Sequence, residues 1–134
     1  MSFTSILADA VAKIKSGYLR RERYVYIRRS NFLIQILKVL YENKVIVSFF
    51  IVDQDSICVF LKYRAGQPFL LELSLVSKPG WKKYLPLDKL LKAAKCNTSS
   101  GFYVISTDLG IMTSMDAKFL TKKISGKILL KVLF

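Results

Sequence analysis

Apolar residues near the start of the chain recur every three or four positions, and this spacing predicts two amphipathic helices. The first helix covers residues 5–16 and ends before Gly17, and the second runs from the N-cap candidate Ser30 to about residue 43. The apolar faces consist of Ile6, Leu7, Ala10, Val11 and Ile14 in the first helix, and of Leu33, Ile36, Leu37 and Leu40 in the second. Both faces are expected to pack against a small sheet.

Alternating apolar and polar residues predict the strands of that sheet. Between the helices, Tyr24 and Tyr26 alternate with Val25 and Ile27, which is typical of an edge strand with one wet face. The strands of a three-stranded meander are expected at residues 45–52, 57–63 and 69–76. The pattern therefore predicts a first lobe of helix, strand, helix and three strands, covering residues 1–76.

The second part of the chain, residues 77–134, predicts a lobe of strands with short helices. Pro79-Gly80 favours a turn between the lobes, and a short helix is expected to begin at Pro86. A strand begins at Tyr103. The predicted fold class is therefore α/β (α+β), with two small lobes.

The charge balance indicates the kind of partner. The chain has 22 Lys and Arg against 9 Asp and Glu, a formal net charge of +13, and 52% of its residues are hydrophobic. Such an excess points to a polyanion or an anionic membrane surface, and nucleic acid is favoured for a small basic protein. With no His and only Cys58 and Cys96, the usual catalytic base and the usual zinc ligands are missing. We expect no metal, no cofactor and no enzymatic activity.

The segment with the most distinctive chemistry follows the Tyr103 strand. Ser106 and Thr107 offer small hydroxyl groups, Asp108 a carboxylate, and Gly110 a flexible turn position. Thr113 precedes a short helical pattern that its side chain could cap. These residue types fit either an ordinary capped turn or a loop that binds phosphate, sugar or base edges.

A family resemblance rests on this segment and on a second motif upstream. The sequence Ile105-Ser106-Thr107-x-x-Gly110-Ile111-Met112-Thr113 resembles the signature loop of the family of small-subunit ribosomal protein eight, found in bacteria and organelles. Ser77-Lys78-Pro79-Gly80 matches another motif of that family at the expected distance. The resemblance extends from about Ile6 to the C-terminus. It implies a structural component of the small ribosomal subunit that binds the central domain of small-subunit rRNA and helps to assemble the platform during translation.

The resemblance also implies which residues contact the RNA. Hydroxyl and backbone groups of the loop would bind sugar, phosphate and base edges, and basic residues elsewhere would neutralise phosphates. The implied rRNA-binding residues are Ser106, Thr107, Asp108, Gly110, Thr113, Lys15, Lys78, Lys82, Arg20, Arg21 and Arg23. Asp108 departs from the family pattern, which has a Ser at that position. Its carboxylate needs a base amino group or a cation beside it, and Lys122 and Lys123 are candidates.

Two other functions fit the charge. A general basic nucleic-acid-binding protein needs only the positive surface, and a peripheral protein of an anionic membrane needs a basic helix face opposite an apolar one, which neither long helix has. We therefore expect rRNA and neighbouring ribosomal proteins as partners, and no membrane. The composition, the drifted signature and the expected absence of a leader indicate a protein made inside a mitochondrion, with plastid or bacterial cytoplasm as alternatives.

Overall fold

A computed structural model of the chain describes residues 3–75, 85–86, 101–114, 116 and 125–134. These residues form two units, Met1–Leu71 and Glu72–Phe134. In chain order the elements are α1 Phe3–Leu19, β1 Tyr24–Arg28, α2 Asn31–Glu42, β2 Ser48–Ile51, β3 Ser56–Phe60, β4 Tyr63–Arg64, β5 Gln67–Pro68, β6 Glu72–Leu75, β7 Leu85–Pro86, β8 Gly101–Thr107, β9 Gly110–Thr113 and β10 Ser125–Leu133. The predicted α/β (α+β) class is confirmed.

The first unit packs its two long helices against one face of a three-stranded antiparallel sheet with the order β1-β3-β2. The covered face carries Val25 and Ile27 of β1 and Ile57 and Val59 of β3, all of them buried. Helix α2 contributes the apolar side chains that its periodicity predicted, together with Val39. A separate two-stranded ribbon, β4-β5, follows the sheet.

Helix α1 continues past Gly17, where the sequence analysis expected it to stop. A Cβ atom at Gly17 would lie 2.4 Å from Cγ1 of Val25 and 3.0 Å from Cδ1 of Leu61. Glycine is therefore required because the helix approaches the sheet closely, and it does not mark the helix end. The prediction that the helix ends at Gly17 was wrong because this glycine is required by packing against the sheet, and tertiary packing cannot be read from the local sequence.

Helix α2 ends with a left-handed residue that is not glycine. Lys44 has φ 61°, its N–H bonds the carbonyl of Tyr41 at 3.0 Å, and the N–H of Val45 bonds the carbonyl of Leu40 at 3.0 Å. This pair of bonds satisfies carbonyls of the last turn, as in a Schellman motif. A side chain with a Cβ is strained in that conformation.

Replacing Lys44 with glycine is therefore expected to stabilise the protein. Lys44→Gly removes the Cβ strain, and the gain should be about 0.5–1 kcal/mol after the higher entropy of the unfolded chain is subtracted. Urea unfolding measures the change. Lys44→Ala is the control, since it shortens the side chain but keeps the Cβ. Equal unfolding free energies for the Gly and Ala variants would contradict the prediction.

The third strand of the predicted meander does not join the first sheet. Residues of β6 pair with β10, with Leu75 opposite Leu130 and Leu73 opposite Val132. The third position of the first sheet is taken by β1, which pairs with β3 through Tyr24 opposite Phe60. The predicted pairing of the first two meander strands is confirmed as β2 with β3, but the placement of the third strand was wrong because its true partner lies far away in sequence. The first unit ends at Leu71.

The second unit is built on an antiparallel sheet with the order β6-β10-β8-β9, and β7 pairs with the start of β10. Strand β8 has its middle residues buried on both faces, since Val104 and Ile105 are both fully covered. The pairing of β10 with β8 shifts between Ile128 and Leu130, which marks a bulge. Helices α1 and α2 belong to the first unit, and this sheet carries the segment that resembles the signature loop.

Candidate nucleic-acid interface

The signature segment forms a tight hairpin between β8 and β9. Thr107 is opposite Gly110, so Asp108 and Leu109 alone make the turn. Gly110 has φ 120° in a place where a Cβ would meet nothing within 4 Å, so its backbone conformation and not crowding selects glycine. The strands hold this turn at the end of a well-packed sheet, which gives the loop a fixed shape.

The hydroxyl of Thr107 forms hydrogen bonds with the backbone of the turn. It donates to the carbonyl of Gly110 at 2.8 Å and accepts from the N–H of Leu109 at 3.2 Å, and the residue is 8% exposed. Both bonds lie within the hairpin, so Thr107 sets the shape of the loop in the free protein. Its direct contact with RNA stays a prediction.

Two hydroxyl groups after the hairpin are buried and bonded within the chain. Thr113 is 1% exposed, and its Oγ1 accepts from the N–H of Asp116 at 3.1 Å, which is the helix-capping bond expected from the sequence. Ser114 is fully buried, and its Oγ accepts from the N–H of Tyr103 at 3.1 Å. The structure thus gives Thr113 and Ser114 a positioning role. Sequence reasoning missed Ser114, whose partner lies in another strand.

Ser106 has a basic neighbour across the sheet. The register pairs Ser106 with Ile111 of β9 on one side and with Lys127 of β10 on the other. Directly opposed residues project from the same face of a sheet, so the half-buried side chains of Ser106 and Lys127 leave the backbone side by side near the hairpin. Lys127 was missed as a site residue because only the strand register brings it next to the loop.

The tip of the hairpin combines a carboxylate with an apolar side chain. Asp108 and Leu109 are exposed, Leu109 at 57%. Within the part of the chain that the structure describes, Asp108 forms no ion pair. The described residues therefore leave its carboxylate available to accept hydrogen bonds from a ligand.

In the first unit, the predicted basic residues gather near the end of α1. Lys15, Arg20, Arg21 and Arg23 are all exposed. Arg20 and Arg23 line a groove of about 740 Å³ between α1 and β1, together with Lys13, Glu22, Tyr24 and Tyr26. Positive charge beside aromatic rings suits a nucleic-acid backbone with its bases. Lys13 is also paired with Asp9 at 3.2 Å, and Lys15 lies outside this groove.

Arg21 stabilises the fold through a hydrogen bond and also lines a surface groove. It has φ 55° just after α1, and its guanidinium donates to the carbonyl of Gly66 in the β4-β5 turn. The hydroxyl of Tyr63 donates to the carbonyl of Glu22 at 2.6 Å, and Arg21, Arg23 and Tyr63 line a second groove of about 240 Å³. Burial raises the pKa of Tyr63, so this phenol remains a donor well above neutral pH.

Several predicted basic residues lie outside the described residues. These are Lys78 and Lys82 of the expected linker and the candidate partners of Asp108, Lys122 and Lys123. Over the described ranges, no group of three or more Cys, Asp and Glu could hold a metal ion. No helix in those ranges has the length and hydrophobicity to cross a membrane.

Comparisons with known proteins agree on one family. The family model described as Ribosomal protein S8 matches residues 5–133. The chain is 35% identical over 128 residues to small ribosomal subunit protein uS8m of Acanthamoeba castellanii, which covers 96% of this chain and 98% of that protein. It is 31% identical over 135 residues to uS8 of Pelagibacter ubique, with 98% and 99% covered. For uS8 of Neorickettsia sennetsu the identity is 35% over 117 residues, with 84% and 87% covered.

Proposed function

We propose that this chain, which belongs to the ribosomal protein S8 family, binds small-subunit rRNA directly through the β8-β9 hairpin. Members of the family are structural ribosomal proteins and not enzymes. The target is the central domain of the rRNA, and binding helps to assemble the platform of the small subunit during translation. Its site of action is the mitochondrial ribosome, in line with its similarity to uS8m of Acanthamoeba castellanii, and it is made inside the organelle.

The observation that supports this function best is the internally bonded hairpin. Because the Thr107 hydroxyl is held by Gly110 and Leu109, the exposed tip is presented in one shape before any ligand arrives. A preorganised loop loses little conformational entropy on binding and can select an irregular RNA helix by shape. Lys127 beside Ser106 supplies positive charge at the same end of the sheet.

The first unit contributes charge in this proposal. Arg20 and Arg23 border the groove between α1 and β1, and Arg21 borders the second groove, so these arginines can neutralise phosphates in addition to the hairpin contacts. Lys15 is exposed on α1 and has the same role. Lys78 and Lys82 keep the role that the family resemblance implies.

Selective binding tests the proposal. The full chain should bind a fragment of its own small-subunit rRNA central domain at least about 100-fold more tightly than a duplex RNA of equal length and unrelated sequence. Duplex DNA of equal length is a second competitor. Equal affinity for all three would show a general basic nucleic-acid-binding protein and overturn the proposal.

Asp108→Ser is expected to weaken rRNA binding, by up to about tenfold. The exposed carboxylate forms no ion pair with the described residues, so it is available to accept from a base amino group or a cation at the interface. Removing it leaves that donor without a partner. Filter binding at low and at moderate salt measures the change.

The opposite result has a clear physical meaning. If the carboxylate were only repelled by phosphates, Asp108→Ser would tighten binding, and most strongly at low salt where screening is weak. Lys38→Ser is a control for a surface change at an exposed position of α2 that is not among the proposed RNA contacts. Tighter binding of the Asp108 variant alone would refute the expected role.

A further inference from the structure

The first unit has an exposed aromatic face that the hairpin function does not use. The helices cover one face of the β1-β3-β2 sheet, and the register places alternate residues on the other. This outer face consists of Tyr24, Tyr26, Arg28, Ser48, Phe50, Ser56, Cys58 and Phe60. No acidic side chain occurs at these eight positions.

Four of its rings form a continuous row across the three strands. The ring centroids of Tyr26 and Tyr24 are 5.5 Å apart, those of Tyr24 and Phe60 5.5 Å, and those of Phe60 and Phe50 5.1 Å. The exposed fractions are 54% for Tyr26, 43% for Tyr24 and 53% for Phe50. Large aromatic surfaces in a contiguous exposed patch typically mark a binding site.

The charge around the row selects among possible occupants. The groove of about 740 Å³ between α1 and β1 is lined by Tyr24 and Tyr26 and also by Arg20 and Arg23. Glu22 is the acidic residue in its lining. The pKa of Tyr26 lies above its usual value, mainly because of the nearby Tyr24, so the Tyr26 phenol adds no negative charge. Rings next to arginines complement a chain of bases joined by phosphates.

We propose that the outer face of the β1-β3-β2 sheet binds single-stranded RNA, with bases stacked on Tyr26, Tyr24 and Phe50 and the backbone along the Arg20–Arg23 groove. Tyr26 and Phe50 flank Cys58 in the register, so their Cα atoms are about 10 Å apart across the sheet. This spacing gives room for two or three bases, as on other RNA-binding sheets. The proposal is independent of the hairpin, shares the Arg20–Arg23 groove with the proposed rRNA phosphate contacts, and adds a second RNA contact in which bases stack on aromatic rings.

Binding of the full chain to a fluorescent eight-nucleotide oligouridylate tests the proposal. Tyr26→Ala and Phe50→Ala should each weaken binding about tenfold, and Tyr26→Phe should retain it because the ring remains. The matched control is Tyr41→Ala, since Tyr41 is 52% exposed but lies on α2. Because stacking neutralises no phosphate, Tyr26→Ala should leave the slope of log affinity against log salt unchanged.

The proposal would be overturned by equal effects of Tyr26→Ala and Tyr41→Ala, by a Tyr26→Leu variant that binds as well as the original, or by no binding of the oligomer. Loss of binding to anionic phosphatidylserine vesicles in Tyr26→Ala, with oligomer binding unchanged, would assign the face to a membrane instead and also overturn it. Binding of the Tyr26→Ala variant to the rRNA fragment distinguishes the aromatic face from the hairpin. Tyr26→Ala should leave at least most of its hairpin-mediated binding intact, so failure of one proposal does not imply failure of the other.

Discussion

Raising the salt concentration from about 50 to about 200 mM is expected to weaken binding to the rRNA fragment about 60- to 1000-fold. In the proposed mode of binding, the phosphates are contacted by the exposed arginines near the end of α1, in a chain whose net charge is +13. If about four to six phosphates are neutralised, log affinity falls against log salt with a slope of about −3 to −5, because each contact releases a condensed counterion.

Single charge removals sharpen this experiment. Arg23→Gln should make the slope less steep by about 0.9, since one phosphate contact with a helical RNA is lost. Lys38→Gln is the matched control, because Lys38 is exposed on α2 and is not among the proposed contacts. A slope near zero for the original protein would mean that affinity does not come from backbone contacts, against the proposed mode of binding.

Thr107→Val is expected to cost about 1–3 kcal/mol in stability of the second unit and to weaken rRNA binding about 5- to 100-fold. Valine has a similar shape but cannot donate to the Gly110 carbonyl or accept from the Leu109 N–H. Both groups would then lose their hydrogen-bond partner within the turn. The loop would sample several shapes, and ordering it would reduce the free energy of binding.

The matched control is Thr107→Ser, which keeps the hydroxyl and loses only a methyl group. It should retain most of the stability and affinity. Urea unfolding and rRNA titration are measured on all three proteins. A valine variant with normal stability and weaker binding would mean that the hydroxyl acts on the RNA and not on the turn. Normal values for both would contradict the role of these hydrogen bonds.

Local patterns predicted the parts of the fold that depend on nearby residues. The apolar spacing in both helices and the alternation of Tyr24 to Ile27 correspond to α1, α2 and β1. The helix end predicted at Gly17 was wrong. Glycine is typical of a helix end, but here it leaves space for the side chain of Val25 from the sheet. The predicted pairing of β6 with the first sheet was also wrong. Its partner β10 lies more than fifty residues further along the chain, and no local pattern predicts that pairing.

In the candidate site too, features that depend on nearby residues were predicted, and features that depend on residues far away in sequence were not. The sequence located the Tyr103 strand, the turn that follows it and the capping role of Thr113, which depend on neighbours within a few residues, but it did not predict that Gly110–Thr113 pair with that strand as β9. It did not identify Lys127 beside Ser106, because that contact depends on the register of β10 against β8. The sequence also did not indicate that the Thr107 hydroxyl hydrogen-bonds to the backbone of its own turn.

Site-specific crosslinking inside the assembled ribosome tests the central claim most directly. A photoreactive phenylalanine analogue replaces Leu109, whose side chain is 57% exposed at the hairpin tip, and in a second protein it replaces Tyr41 on α2. Small subunits containing each protein are irradiated, and the attached RNA is sequenced. We predict crosslinks from position 109 to the central domain of small-subunit rRNA, at sites that position 41 does not reach. Crosslinks from position 109 to protein alone, or to RNA outside the central domain, would contradict the account.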